Sequence, residues 1–307
     1  MTNSTVTRLE PPSHAKREGW VIGKFVAAFF AIYVVWGTSY FAIRVVVQEV
    51  PPLLAAGTRF FAAGVLLVSV MRLKGQPNPR GAQWRNLAII GLVMFAAVYG
   101  PLFWAERYVS SGTASVLEAT IPLITIGMEV FLIRNLPFRW SLIGAAVLGF
   151  CGVGVLLLSN GDQPARLLPC IAVLAGASAW SLGSVLNRTM DLPASKPLTA
   201  GASMMLGGVA LFALSLLFGE LRSPPNITLR SAAALAYLIV FASLVSFTAF
   251  VWLLGRMPAS QVASHAYVNP VVAIALGYFA GGETISWRML AGSGLIVLSV
   301  FLILRKR

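Results

Sequence analysis

A chain of 307 residues with 58% hydrophobic and 11% charged side chains, at a mean hydropathy of +0.81, has too little polar surface for a soluble domain of its size. Its formal net charge of +13 is spread over short loops and tails with no basic stripe and no recognisable binding motif, which argues against nucleic acid as a partner. Cys151 and Cys170 lie in apolar stretches with no CxxC and no His/Cys cluster, so neither a disulfide nor a metal site is expected.

Residues 1–23 are polar and read as a disordered cytoplasmic tail. Runs of about twenty apolar residues, each enough to cross a bilayer core of about 30 Å, follow. They place spans at 24–46, 53–73, 87–106, 112–133 and 139–159, then at 166–188, 198–219, 231–254, 260–280 and 287–304. The first run begins near Phe25 and is followed by many others, so it reads as a retained span and not as a signal peptide. Pro51-Pro52, Gly75-Gln76-Pro77, Ser110-Ser111-Gly112, Asn160-Gly161 and Ser223-Pro224-Pro225 mark the turns. Residues 305–307 form a basic cytoplasmic tail. The predicted fold is an all-α membrane protein of ten transmembrane helices.

The two halves match. At a shift of 144 residues, Val35–Arg44 aligns with Ala179–Arg188, and Ala56–Phe61 with Ala200–Met205. At 148, Trp104 meets Trp252, Pro122 meets Pro270 and Gly144 meets Gly292. Two repeats are therefore expected, residues 24–160 and 161–304. Five spans each force the second copy to lie inverted, an architecture common among alternating-access carriers. With the N-terminus cytoplasmic, sixteen of the twenty-three Lys and Arg fall in inside segments and seven in outside segments or spans. The positive-inside rule thus predicts both termini in the cytoplasm.

Ionisable groups within spans are costly and usually face a cavity or a partner. On span two, Arg59 enters at a depth matching Glu118 on span four, so an Arg59–Glu118 ion pair is expected, serving as a structural clamp or an extracellular gate. Arg44 lies nearer the outer end of span one and is expected at the interface. Ser115, Glu118, Pro122, Thr125 and Glu129 share one helix face; Glu129 either belongs to a polar path or pairs with Arg134 at the cytoplasmic interface. Gln261, His265 and Asn269 share a face of span nine, followed by Pro270. Pro122 and Pro270 are matched helix breaks, which point to a midplane binding site. His265 either carries a coupling proton or is a neutral group bonded between helices.

Aromatic residues complete the candidate cavity: Trp36 and Tyr40 on span one, Trp180 with Ser184 on the matching face of span six, Tyr99 and Trp104, Trp252, and Tyr267. Membrane aromatics are often interfacial anchors, but Trp36 and Trp180 lie inside their spans and duplicate each other, which favours a cavity lining. Small residues in Gly144–Gly149 and Gly292-Ser293-Gly294 permit close helix approach in spans five and ten.

Together these features resemble the EamA-type carriers of the drug/metabolite transporter superfamily. The resemblance rests on Trp36-Gly37-Thr38-Ser39-Tyr40, Pro51-Pro52 leading to Gly57-Thr58-Arg59-Phe60, Ala114 to Pro122, Ala266-Tyr267-Val268-Asn269-Pro270-Val271, and Gly281-Gly282-Glu283. It covers residues 25–304 and is similar to the ten-span members of the bacterial inner membrane. It implies two inverted five-helix repeats around a central cavity, with spans five and ten peripheral, and export of amino acids, other metabolites or toxic compounds. Glu118 departs from the aromatic lining of the aromatic amino-acid exporters. Nucleotide-sugar carriers would want several mid-cavity Lys or Arg, and none is evident.

The expected function is a secondary carrier exporting a small amphipathic metabolite, amino acids among the candidates, by alternating access. A multidrug or toxic-compound exporter is the alternative, with a membrane-embedded enzyme or a channel as remote ones. Enzymatic activity is not expected, since the spans hold no HExxH and no DxxD and the chain has two histidines. No cofactor is expected, and there is no nucleotide-binding GxxxxGK[ST]. The partners are the solute and the lipid bilayer.

Overall fold

The computed structural model describes residues 14–132, 140–157, 167–222, 225–254, 256, 262 and 265–305. Among the described residues every long element is a helix. In chain order these are α1 (Ile22–Val47), α2 (Pro52–Leu73), α3 (Gly81–Ala105), α4 (Ser111–Glu118), α5 (Ile121–Gly127) and α6 (Trp140–Leu157). There follow α7 (Leu167–Thr189), α8 (Lys196–Leu217), α9 (Leu229–Leu253), α10 (His265–Gly281) and α11 (Trp287–Arg305). Six of them, α1, α2, α3, α7, α8 and α9, are long and apolar enough to cross a membrane. Shorter apolar stretches lie in α6, α10 and α11. Large apolar side chains face outward, as lipid demands: Leu73 and Phe279 are 88% and 83% exposed.

Three elements differ from the sequence reading: helix already runs from His14 into α1, inside the 1–23 segment expected to be disordered. α3 begins at Gly81 rather than near residue 87, because Gln83 Oε1 accepts from the Arg80 amide (3.0 Å) and caps a polar first turn that hydropathy does not register. The fourth span is two helices, α4 and α5, separated at Ala119-Thr120 just before Pro122. Pro122 cannot donate a backbone bond, and its ring clashes with a helix continuing from Glu118. Pro270, expected as the matching break, sits inside a continuous α10. Membrane helices tolerate such a proline where neighbours hold the flanking turns.

Packing pairs the helices across the molecule. α2 lies on α8 and α6 on α11; α1 meets α9 and α10, while α7 meets α3 and both α4 and α5; α4 also touches α10. The α2–α8 contact is a glycine seam. A Cβ at Gly64 would meet the Gly201 carbonyl at 2.7 Å, and one at Gly208 the Phe61 amide at 2.5 Å. α6 and α11 approach through Gly152 and Gly292, where a Cβ would sit 2.8 Å from the opposing carbonyl; Gly144 and Gly294 face open space.

Among the described residues four stretches are π-helical: Ala31–Val35, Leu92–Ala96, Met128–Leu132 and Leu238–Val245. In the first and last of these, side chains bond several backbone carbonyls. Trp36 Nε1 donates to Ala242 O (3.0 Å) and Ser246 Oγ to Ala31 O (3.0 Å). With its amide nitrogen turned inward, Asn269 reaches Ile32 O and Tyr33 O (both 3.1 Å). Wide turns of this kind gather where a helix must bend around a site.

One loop face, here the clasp face, is tied together by carboxylates. Glu220 accepts from the Leu53 and Leu54 amides at the start of α2 (3.2 and 2.9 Å). Glu49 accepts from the Thr228 amide and hydroxyl before α9 (3.1 and 2.7 Å). Glu283 accepts from the Ser111 amide and hydroxyl at the start of α4 (both 3.0 Å). In each case a carboxylate from one half caps a helix N-terminus of the other, where unpaired amides and the helix dipole favour negative charge. On the opposite face, Asn86 Nδ2 and Gln83 Nε2 hold Asp191 (2.9 and 3.3 Å).

Candidate functional site

A cavity of about 650 Å³ lies between the halves. Its walls come from α1, α2, α3, α4, α5, α7, α8, α9 and α10. Toward the Asp191 face it is bordered by exposed Arg188 and Lys196, so it reaches solvent there. Toward the clasp face it ends on buried Ile43, Arg59, Leu102 and Ser115. α6 and α11 contribute nothing to it.

The middle of the cavity is aromatic. Trp36 stands perpendicular to His265 (5.1 Å between ring centroids) and tilted against Phe250 (5.2 Å). On the opposite wall Tyr99 meets Trp180 edge-on at 6.4 Å, and Ser184 donates to the Trp180 carbonyl (2.8 Å). His265 Nδ1 is buried with no partner. Asn269, expected as a ligand group, spends its amide on α1 carbonyls and joins helices at the cavity edge. Pro122 and Pro270 both line the cavity, as do Ser115 and Thr125. Thr125 Oγ1 donates to Ser181 Oγ (2.9 Å), fixing α5 on α7 just past the helix break.

At the blind end, Glu118 and Arg59 both reach the cavity without an ion pair between them. Tyr40 Oη donates to Glu118 Oε2 (2.6 Å). Arg59 Nε donates to Ser243 Oγ (2.9 Å), its guanidinium lies over Phe60 and Tyr99 (4.7 and 5.2 Å to the centroids), and one of its terminal nitrogens, NH1, is buried without a partner. The expected Arg59–Glu118 bridge is therefore replaced by two separate anchors. Equal depth along two helices does not set which way the side chains turn, and here Tyr40 and Ser243 take the positions a direct pair would need.

Two further expectations change. Trp104 is off the cavity, edge-on to Tyr108 near the clasp face (5.3 Å). Trp252 packs on Phe25 (5.0 Å) and under Arg256 (4.2 Å), away from the cavity. Their match in the repeat reflects equivalent positions at helix ends, where Trp commonly anchors. Arg44 stays at the clasp-face end of α1, partly exposed, where it pairs with Glu283 (3.1 Å) and donates to the Glu106 carbonyl (3.0 Å) and the Val109 carbonyl. The side chains of Tyr267 and Glu129, and all of Gln261 and Arg134, lie outside the described residues. Residues not singled out from sequence include Ser243, Phe247, Phe250 and Met94 in or beside the walls. Glu106 was also missed, because next to Arg107 it reads as an ordinary acid at the end of a span.

The comparisons fit this geometry. A model of the EamA-like transporter family matches the chain twice, over residues 23–158 and 167–305. The chain is 38% identical over 280 residues to the uncharacterized inner membrane transporter YedA of Escherichia coli K12, covering 90% of this chain and 89% of that protein. It is 29% identical over 269 residues to protein PecM of Dickeya dadantii, with 86% and 87% covered. One crystal structure superposes with a TM-score of 0.62 over 92% of this chain and 96% of that one, at 19% identity, a likeness of fold alone. Two matched family segments, a close inner-membrane transporter relative and apolar helices around a cavity leave one assignment: the chain is a multi-pass membrane protein of the EamA-like transporter family.

Proposed function

We propose that this protein is a secondary carrier of ten spans in two inverted repeats, exporting a small amphipathic metabolite that bears both an amine and a carboxylate. The helix pairing supports the repeat reading. Exchanging first-half helices for their second-half counterparts turns α1–α9 into α7–α3 and α1–α10 into α7 against α4 and α5, while α2–α8 and α6–α11 map onto themselves. The positive-inside asymmetry supports an orientation with the clasp face outside and both termini in the cytoplasm. In that orientation the conformation is closed outward and open inward, ready to load solute from the cytoplasm.

The blind end of the cavity carries the substrate reading. Arg59 and Glu118 present opposite charges that are not spent on each other, with an unpartnered guanidinium nitrogen on one side. A zwitterionic α-amino acid supplies a carboxylate for the first and an ammonium for the second, and the aromatic walls take its side chain. The protein in liposomes is tested by counterflow: labelled amino acids should exchange saturably, and cationic drugs without a carboxylate should compete weakly. The aromatic walls and cavity size also suit a multidrug exporter. Strong exchange of such drugs with none of amino acids would favour that reading and remove this one.

A further inference from the structure

Glu106 follows α3 at the clasp face. It is fully buried, and neither of its carboxylate oxygens has a hydrogen-bond partner. Arg44 makes no bond to that carboxylate, being bound to the backbone carbonyls of Glu106 and Val109 and to the Glu283 carboxylate. The charged and titratable groups in electrostatic range are Glu283 after α10, Arg44 and Tyr40 on α1, Glu118 on α4 and Arg59 on α2. Arg107, next in sequence, turns away and donates to the Val47 carbonyl (3.1 Å). α7, also packed on α3, holds only Cys170 and, at its far end, Arg188 as titratable residues. Arg44 is held by Glu283, while Arg59 donates to Ser243 and lies over Phe60 and Tyr99, so neither guanidinium donates to the Glu106 carboxylate. A third negative charge, unbonded and out of water, is among the costliest groups a fold can hold, whereas a neutral carboxyl there is tolerable.

We propose that Glu106 is a proton-binding site that couples closure of the clasp face to uptake of one proton. When that face opens, water reaches Glu106 and the carboxylate is stable; closing requires a proton to pass from water to a carboxylate oxygen. Release on the other side passes through Glu118, the carboxylate that reaches the cavity. Loss of the proton leaves a buried charge and drives the clasp face open again. One proton thus moves from the clasp face to the cavity per cycle, against solute moving the other way. The proposal rests on the carrier reading for the existence of two conformations.

The test uses purified full-length protein with Cys151→Ser and Cys170→Ser. Spin labels are placed in pairs at Tyr108→Cys, Ile227→Cys and Ile285→Cys, exposed positions on three loops of the clasp face. Distances are measured at about pH 5 and about pH 9, spanning the range of a raised carboxyl. At least one pair should lengthen by several ångströms at high pH. Glu106→Gln, a neutral mimic, should keep it short at both. An unchanged pH response in Glu106→Gln, or no response in any pair of the parent, overturns the proposal. Should Glu106→Gln not fold, Glu106→Asp must move the transition along the pH axis, and an unmoved transition is equally fatal. Failure of the carrier reading is separate: it shows as absence of saturable counterflow with every solute, whatever the distances do.

Discussion

Arg59 and Glu118 lie close enough to feel each other's charge yet hold different partners, and that separation is what makes them available to a solute. Charge-assisted hydrogen bonds contribute about 1.5–3 kcal/mol each, so Arg59→Ala should lower counterflow of a zwitterionic amino acid by at least about tenfold. Ser243→Ala removes only the group that aims the guanidinium and should cost about threefold, about 0.6 kcal/mol. Both are read as exchange rates in liposomes at matched protein content; equal rates in parent and Arg59→Ala would remove the carboxylate-binding role. Neither Ser243 nor Tyr40 could be assigned as a partner from sequence. Ser243 sits in a π-helical stretch of α9, and the extra residue per turn there shifts which side chains face inward.

The elements meet through two devices, a glycine seam and a helix break. Gly57 of α2 faces Gly208 of α8 and Gly64 faces Gly201, while Gly201 and Gly208 are the repeat equivalents of Gly57 and Gly64, 144 residues on, so the seam is part of the repeat. Gly208→Leu drives a side chain into the backbone of α2 and should destabilise the fold by about 1–3 kcal/mol or more. Gly144→Leu meets nothing within 4 Å and should be neutral. Thermal unfolding in detergent compares the two, and equal melting temperatures would contradict the seam. The break between α4 and α5 presents Glu118 as the last residue of its helix. Pro122→Ala restores an amide, lets the helix run on and should lower transport while stability holds or rises. Pro270→Ala, inside a continuous helix, should affect transport less.

For the whole molecule, the three carboxylate caps on the clasp face hold the halves together on one side of the cavity. Glu220→Ala leaves two α2 amides without their cap, a loss of about 1–2 kcal/mol, and should shift the protein toward a conformation open at that face. Impermeant thiol labelling of Ser115→Cys, buried at the closed end, should then rise; unchanged labelling would show that this cap does not hold the face shut. Glu49 adds a pH dependence. Hydrogen bonds from Ser231 and Thr228 hold its carboxyl below the ordinary glutamate value of 4.5. Its folded-state value being depressed, its stabilisation is present above that value and is lost as pH falls through the lower folded value. Parent protein should lose more stability than Glu49→Gln on acidification below about pH 4.5, read from melting temperatures.

The sequence by itself determined the apolar helices, the duplication, the aromatic wall residues Trp36, Tyr99 and Trp180, and the importance of Pro122. These follow from composition, periodicity and backbone chemistry, which act locally or repeat along the chain. It did not determine partners. Whether Arg59 meets Glu118 or Ser243, which acid Arg44 pairs with, and whether Pro270 breaks its helix depend on neighbours more than forty residues away. Only the tertiary structure decided these points, because side-chain direction and burial are properties of packed helices and cannot be read from depth along a single one. The same reason hid Glu106, an ordinary acid at the end of a span until four other elements close around it.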